Sequence, residues 1–407
     1  MSERALRAIE ECRCIAAMTE EPGRITRRFL TPPVHAVHEL LSGRMDALGM
    51  SVRVDAAGNL RGLWQPPSAG KQRLILGSHI DTVPDAGAFD GVLGVTLALE
   101  WVGLAQEFNL PLPIEVIAFS EEEGVRFGVP FLGSRAVAGR FDPALLALKD
   151  ADGVTLDAAI RAFGLDPSRI GEAASGADAL GMVEIHIEQG PVLEAEGLSV
   201  GAVTAIVGQT RKSLEFAGHA NHAGTTPMRL RRDALAGAAE WIAAVETLAL
   251  RTEGLIATVG KADVRPNAGN VIAEAVNASL DVRHANDTAR HAAVEALVEQ
   301  ANAIAGRRGL ALACKLQMDQ PAVPMDERLT AYLAESIEAA GLPLRQMPSG
   351  AGHDTMVMAA RMPTAMLFLR SPGGISHHPD EAVREEDVED ALKVGRKFLE
   401  RVAAELG

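Results

Sequence analysis

Cysteine is scarce in this chain. Cys12, Cys14 and Cys314 are the only ones among 407 residues. So few, and an odd number, exclude a disulfide framework and fit a reducing compartment. Cys12-Arg13-Cys14 has no second pair to complete a tetrahedral metal site. Long apolar runs are missing too: no stretch of about 18 apolar residues occurs, so no membrane span is expected. The opening MSERALRAIEECRCIAAMT carries charge throughout and lacks the apolar core of a signal peptide. A cytoplasmic location is the expectation. Positive charge is in short supply, with 39 Lys and Arg against 54 Asp and Glu, a net −15. That balance argues against nucleic acid or an anionic membrane as partner. It leaves room for an anionic small molecule held by a few local arginines.

What is present is an ordinary globular composition, 47% hydrophobic and 23% charged, on a chain long enough for two domains. RLILGSHI (73–80), IEVIAFS (114–120), GMVEIHIE (181–188) and SVGAVTAIVG (199–208) are short apolar runs that stop at polar residues, as buried strands do. FDGVLGVTLALEWVGLAQEF (89–108) reads as a helix apolar on most faces. Buried strands alternating with helices imply an α/β sheet covered on both sides.

The middle of the chain is patterned differently. Leu235, Ala238, Ile242, Val245 and Leu248 recur at helical spacing. In NASLDVR (277–283), Ala278, Leu280 and Val282 alternate with Ser279, Asp281 and Arg283, the mark of a strand with one polar face. A helix over 287–305, capped by Asn286 or Asp287, and a strand over 311–318 follow. Two helices on a small antiparallel sheet is the simplest α+β reading of this segment. The α/β pattern resumes after Pro324 and ends in a helix over about 385–404. One discontinuous α/β domain, 1–209 and 326–407, therefore carries an inserted domain, 210–325.

Histidines and carboxylates gather where the apolar runs stop, the positions from which loops present side chains to a crevice. They are His79 and Asp81, then Asp90, then Glu121-Glu122-Glu123 ahead of Gly124, then His186, then His377. Singly each has a bland reading: a lone histidine beside a strand is ordinarily structural, and a glutamate run ordinarily solvated. Together, in this order, they make a pattern far more specific than any one of them.

In order and spacing, GSHIDTV (77–83), AFDGVLGV (88–95), EEEGVRF (121–127), HIEQGPVLE (186–194), ANHAGTTPM (220–228), SGAGHD (349–354) and GGISHHPDE (373–381) resemble the M20 metallopeptidase-like family. Within it they resemble the amidase/hydantoinase/carbamoylase subgroup of allantoate amidohydrolases, N-carbamoyl-L-amino-acid hydrolases and β-ureidopropionases. The resemblance runs from about residue 24 to the C-terminus. It implies a zinc-exopeptidase-like α/β catalytic domain whose insert serves as lid and dimerisation domain, giving a homodimer. It implies two divalent ions per subunit, Zn, Mn, Co or Ni, which activate water for attack on a ureido or amide carbonyl.

The roles follow residue by residue from that resemblance. His79 and His186 would bind one ion, Glu123 and His377 the other, and Asp90 would bridge them. Asp81 would accept the second imidazole N–H of His79. Glu122 would be general base and acid. His222 would stabilise the tetrahedral oxygen. Arg283 would anchor a substrate carboxylate, with Gln209, Asn270 and Gly352 as further substrate contacts. His353 receives no role. Alternatives remain at three places. Arg283 could simply pair with Asp281, His378 rivals His377, and the base and ligand could be Glu121 and Glu122. For function, the resemblance implies hydrolysis of an N-carbamoyl-L-amino acid or allantoate with release of ammonia. The alternatives are an M20 dipeptidase or aminoacylase, or a catalytically inert relative that only binds metal or a partner.

Overall fold

The computed structural model describes residues 1–67, 70 and 72–406. It divides into two compact units, Met1–Thr204 with Met325–Gly407, and Ala205–Pro324. The first has a mixed α/β fold. Strands Arg73–His79, Ile114–Phe119, Ala179–Ile187 and Thr364–Leu369 form its parallel centre, in the spatial order Ile114–Phe119, Arg73–His79, Ala179–Ile187, Thr364–Leu369. Antiparallel strands flank it, Leu60–Trp64 on one side and Val200–Ile206 on the other.

Alternation along these strands separates two cores. Leu74, Leu76, Val116, Val183 and Ile185 face one way, against helices Val92–Glu107 and Glu385–Leu406. Ile75, Ile117 and Met182 face the other, with Met358 and Met362. Strands covered on both faces have to be apolar on both, which is why the runs read as unbroken.

The helix that reads as apolar on most faces also hides a charge. The Glu100 side chain is fully buried and meets Arg4 at 2.9 Å, Arg7 at 2.6 Å and Arg44 at 2.8 Å. These arginines come from helices Ser2–Ala16 and Pro32–Ala47, which the sequence reading did not resolve. The cluster ties both N-terminal helices to helix Val92–Glu107.

In the second unit, five antiparallel strands run in the order Ala311–Gln320, Gly208–Ala217, Ala275–His284, Ile256–Thr258, with Ala262–Arg265 also paired to Ala275–His284. Helices Ala234–Arg251 and Asp287–Arg308 pack against it through Leu214, Phe216, Leu280, Val282, Trp241 and Leu297. Asp233 caps the first helix and Asn286 the second through side-chain oxygens. The expected stripe is displaced at Leu235, which is 46% exposed. The buried line runs Ala234, Ala238, Trp241, Val245. Leu235 lies about 100° round the helix from that line, so Trp241, with its indole N–H on the Leu297 carbonyl at 3.0 Å, anchors the face instead. Among the described residues no helix is long and apolar enough to cross a membrane.

Candidate active site

Parallel strands deliver their C-terminal ends to one edge of a sheet, and there the chemical residues of the first unit collect. His79 is the last residue of strand Arg73–His79, and Glu121 to Glu123 follow strand Ile114–Phe119 and Ser120. His186 closes strand Ala179–Ile187 one residue from its end, and His377 lies in the loop beyond Thr364–Leu369. Asp90 immediately precedes Gly91, which begins helix Val92–Glu107. Gly91 has φ 67°, and a Cβ there would overlap the His79 ring. Only glycine lets the Asp90 turn come this close to the imidazole.

The donor atoms converge in two sets that share residues. One is His79, Asp90 and His186; the other is Asp90, Glu123 and His377, and in each the ligand atoms lie within 4.8 Å of one another. His79 Nε2 and His186 Nε2 face each other at 3.4 Å, and His186 Nε2 is 3.5 Å from Asp90 Oδ1. Across Asp90, Oδ2 is 3.1 Å from His377 Nε2. The outer ring nitrogens are held by carbonyls: His79 Nδ1 lies 3.0 Å from the Asp81 carbonyl, and His186 Nδ1 lies 2.9 Å from that of Ile187. Such bonds fix the tautomer and turn Nε2 inward, as second partners of metal-binding imidazoles do. Two further groups, His79 with Glu122 and Glu123, and Glu184 with His186 and His353, also meet the distance criterion.

A cation fits here on physical grounds. Asp90, Glu122 and Glu123 crowd together in a buried place. Glu123 Oε1 is buried without an aligned hydrogen bond, facing His377 Nε2 at 3.4 Å. Buried carboxylates in such number need positive charge. Without an ion they take it from protons. Burial, reinforced by the neighbouring carboxylates, pushes the Glu122 carboxyl well above the usual range and Glu123 up to about 7. A hydrogen bond to Asp90 lifts His377 to about 9. Burial opposes ionisation of Asp90, yet its bond from His377 and the charges of His186 and His79 hold its carboxyl below the usual range. The donors are histidine nitrogen and carboxylate oxygen, a set that suits borderline divalent metals.

Several sequence alternatives look different in three dimensions. Glu121 is buried and belongs to none of the metal-competent groups. His378 is exposed and turned to Asp380, whose N–H it accepts at 3.1 Å. His353 is buried, its ring 4.5 Å from that of His186, with Nε2 2.9 Å from Ser349 Oγ. Gly352 sits beside it, a Cβ there lying 3.1 Å from the Phe131 ring.

The remaining expected contacts belong to the second unit. His222 is exposed, takes the Gly224 N–H on Nδ1 at 3.0 Å, and bridges Val271. The next residue, Ala223, donates to the Asn270 carbonyl at 3.0 Å, so the structure brings His222 and Asn270 side by side. Gln209 and Arg283 are directly paired across two strands. Both reach Asp281, Arg283 Nε at 3.0 Å and Gln209 Nε2 at 2.5 Å. The Arg283–Asp281 pair left open by the sequence is therefore formed.

Two contributors, Gln189 and Glu381, carry no role in the sequence reading, and Asp81 meets His79 through its backbone carbonyl rather than the expected carboxylate. The Asp81 carboxylate lies 3.5 Å from His79 Nδ1, farther than its own carbonyl, and spends itself on the backbone N–H groups of Glu122 and Glu123. Gln189, at φ 59°, donates from Nε2 to Asp90 Oδ1 at 3.0 Å. Glu381 binds the Asp90 turn. The last two lie inside quoted strings, HIEQGPVLE and GGISHHPDE; polar residues beside a strand-end ligand were the available signal.

Comparison with known proteins bears on this geometry. The profile of Peptidase family M20/M25/M40 matches residues 75–401. The chain is 39% identical to N-carbamoyl-L-amino acid amidohydrolase of Geobacillus stearothermophilus, over 90% of each chain. It is 36% identical to allantoate amidohydrolase of Escherichia coli (strain K12), over 94% of this chain and 93% of that one. A crystal structure of an amidase of the hydantoinase/carbamoylase family from Burkholderia multivorans superposes with a TM-score of 0.91 at 33% identity, covering 98% of both chains.

Proposed function

Because this chain belongs to peptidase family M20/M25/M40 and is a hydrolase acting on non-peptide C–N bonds, we propose that it cleaves a ureido or carbamoyl C–N bond beside a carboxylate, in an N-carbamoyl-L-amino acid or in allantoate, releasing ammonia. The observation that carries this reading is the pair of donor sets that share Asp90. Enzymes of the family are metal-dependent. In this reading His79, His186 and Asp90 hold one divalent ion, and Asp90, Glu123 and His377 a second. Bound ions of this kind polarise a carbonyl and ease deprotonation of the attacking water.

The chain's own groups do the rest. The Glu122 carboxylate takes a proton from that water and returns it to the leaving nitrogen. Asp81 fixes the backbone of Glu122 and Glu123, so one carboxylate faces the reaction while its neighbour faces metal. Arg283 is assigned to the substrate carboxylate, Gln209, Asn270 and Gly352 to further substrate contacts, and His222 to the oxygen on which charge develops. The second unit is assigned the part of a lid that also pairs two copies into a homodimer. Three free cysteines suit a cytoplasmic enzyme.

The test is ammonia release by protein stripped of metal and reloaded with Mn²⁺, Co²⁺ or Zn²⁺. Substrates are allantoate, N-carbamoyl-L- and D-amino acids, and N-carbamoyl-β-alanine. Turnover of allantoate or of the L-carbamoyl compounds is expected. Two bound ions with no release from any of them, and cleavage of dipeptides instead, would overturn the ureido assignment.

A further inference from the structure

Glu381 ends the GGISHHPDE string, four residues beyond His377, and the reaction gives it no task. It is 6% exposed. Its Oε1 accepts two backbone N–H groups, Phe89 at 2.8 Å and Asp90 at 3.0 Å. Its Oε2 accepts the Ser376 hydroxyl at 3.1 Å, and its own N–H closes a turn on the His378 carbonyl at 3.0 Å. One carboxylate thus binds Asp90 itself and the residue just before His377, across almost three hundred positions of sequence.

Its partners here are two amides and a hydroxyl rather than a cation. The amides stand at the start of helix Val92–Glu107, where the peptide dipoles favour negative charge. Gly87 makes the room, since a Cβ there would overlap the Glu381 side chain. His377 meanwhile has φ 56°, in the left-handed region. A non-glycine residue stays there only when its surroundings hold it, and the Ser376–Glu381 bond is part of those surroundings.

We propose that Glu381 is a positioning residue for the second ion: it ties the Asp90 turn to the His377 loop, so that both ligands reach that ion as one preformed unit. The proposal rests on the reading above that Asp90 and His377 bind metal. The first ion shares Asp90 but would keep His79 and His186, which Glu381 does not touch, so it should suffer less. A carboxylate that only capped the helix would instead affect stability in the metal-free state and both ions alike.

The experiment titrates full-length, metal-free protein with Zn²⁺ against a chromophoric chelator, and records thermal unfolding of the metal-free form. Glu381→Ala should weaken the second ion by about 10–100-fold, the range for outer partners of metal ligands, and the first, which shares only Asp90 with it, by a distinctly smaller factor. Glu381→Gln keeps an oxygen for the two amides and an NH₂ for Ser376 Oγ, so it should restore binding. Should Glu381→Ala fail to fold, Ser376→Ala removes one of the three bonds and should weaken the second ion alone. Wild-type affinity in the alanine variants, equal loss at both ions, or equal loss in the Ala and Gln variants would overturn the proposal. A wild-type chain that takes up no second ion would overturn the metal reading beneath it as well.

Discussion

The Asp81 carboxylate receives the backbone N–H of Glu122 on one oxygen at 2.9 Å, and that of Glu123 on the other at 3.0 Å. Two adjacent glutamates are thereby locked into one turn, which suits the different tasks proposed for their side chains. Gly124, at φ 71° and with a Cβ position only 2.7 Å from Pro130 N, lets the chain leave that turn.

Glu122→Gln separates the two tasks. The amide keeps the shape and leaves Asp90, Glu123 and the histidines in place, so metal content should stay at the wild-type level. Loss of the proton shuttle should lower kcat by about 10²–10⁴-fold. Metal analysis alongside ammonia release checks it; an active Glu122→Gln enzyme would remove Glu122 from the mechanism.

Stripping the metal should cost stability as well as activity. Asp90, Glu122 and Glu123 would lose their counter-charge in a buried place. Ligand linkage gives about 2.7 kcal/mol at a free-ion concentration of 100 times Kd. Thermal unfolding with and without added Zn²⁺ measures this, and superimposable curves would contradict a metal centre.

Gly91→Ala should damage the centre through the backbone. Gly91 sits at φ 67° and ψ −53°, the strained γ-turn region that a side chain disfavours, and the new methyl would also overlap the His79 ring. Weaker metal binding together with a lowered melting temperature is expected. Unchanged metal affinity would show that the turn has slack the structure does not display.

Arg283→Lys should cost substrate recognition but not the fold. Arg283 is partly buried on a strand of the second unit and fork-bonded to Asp281. Bonds to charged groups contribute about 1.5–3 kcal/mol, so kcat/KM for a carboxylate substrate should fall roughly 10–100-fold. An unaltered KM for N-carbamoyl amino acids would transfer the anchoring role elsewhere.

His38 predicts a pH effect away from the centre. It is buried, its Nε2 has no partner, and its ring meets Phe163 edge-on at 5.7 Å. Burial, and then the charge of His35, push it from 6.5 down to about 4. The unfolded chain binds this proton below about pH 6.5, while the folded one does so only near 4. Stability is therefore full above the higher value and falls between the two, by up to about 3 kcal/mol. Denaturant unfolding at pH 7 and 4.5 should show a smaller acid loss in His38→Leu than in wild type. Equal losses in the two proteins would mean that His38 does not resist protonation.

Much of the first unit was legible because its strands are buried on both faces. Such strands read as apolar runs, and the polar residue that ends each run is the one facing the crevice. His79, His186 and the run Glu121–Glu123 could be found that way, while the resemblance, not the run, singled out Glu122 and Glu123. Residues whose work depends on partners far along the chain could not. Nothing local marks Glu381 as the anchor of Asp90, or Glu100 as the point where Arg4, Arg7 and Arg44 meet. Leu235 misled because hydropathy weights a leucine above an alanine, whereas the packed face of its helix is alanines around one tryptophan. Arg283 was ambiguous for a different reason: a strand's polar face offers the same guanidinium to Asp281 and to a ligand.

Strand Thr364–Leu369 lies between Ala179–Ile187 and Val200–Ile206, both of which are made long before it. The sheet consequently keeps an open slot during synthesis. At about 5–20 residues per second, the ribosome needs roughly 9–35 s to travel from the first of these neighbours to the strand that fills it. Throughout that interval the nascent chain carries two unpaired hydrogen-bonding edges and lacks His377. Protection of those edges, and the arrival of His377, thus wait on residues made far downstream of the edges themselves.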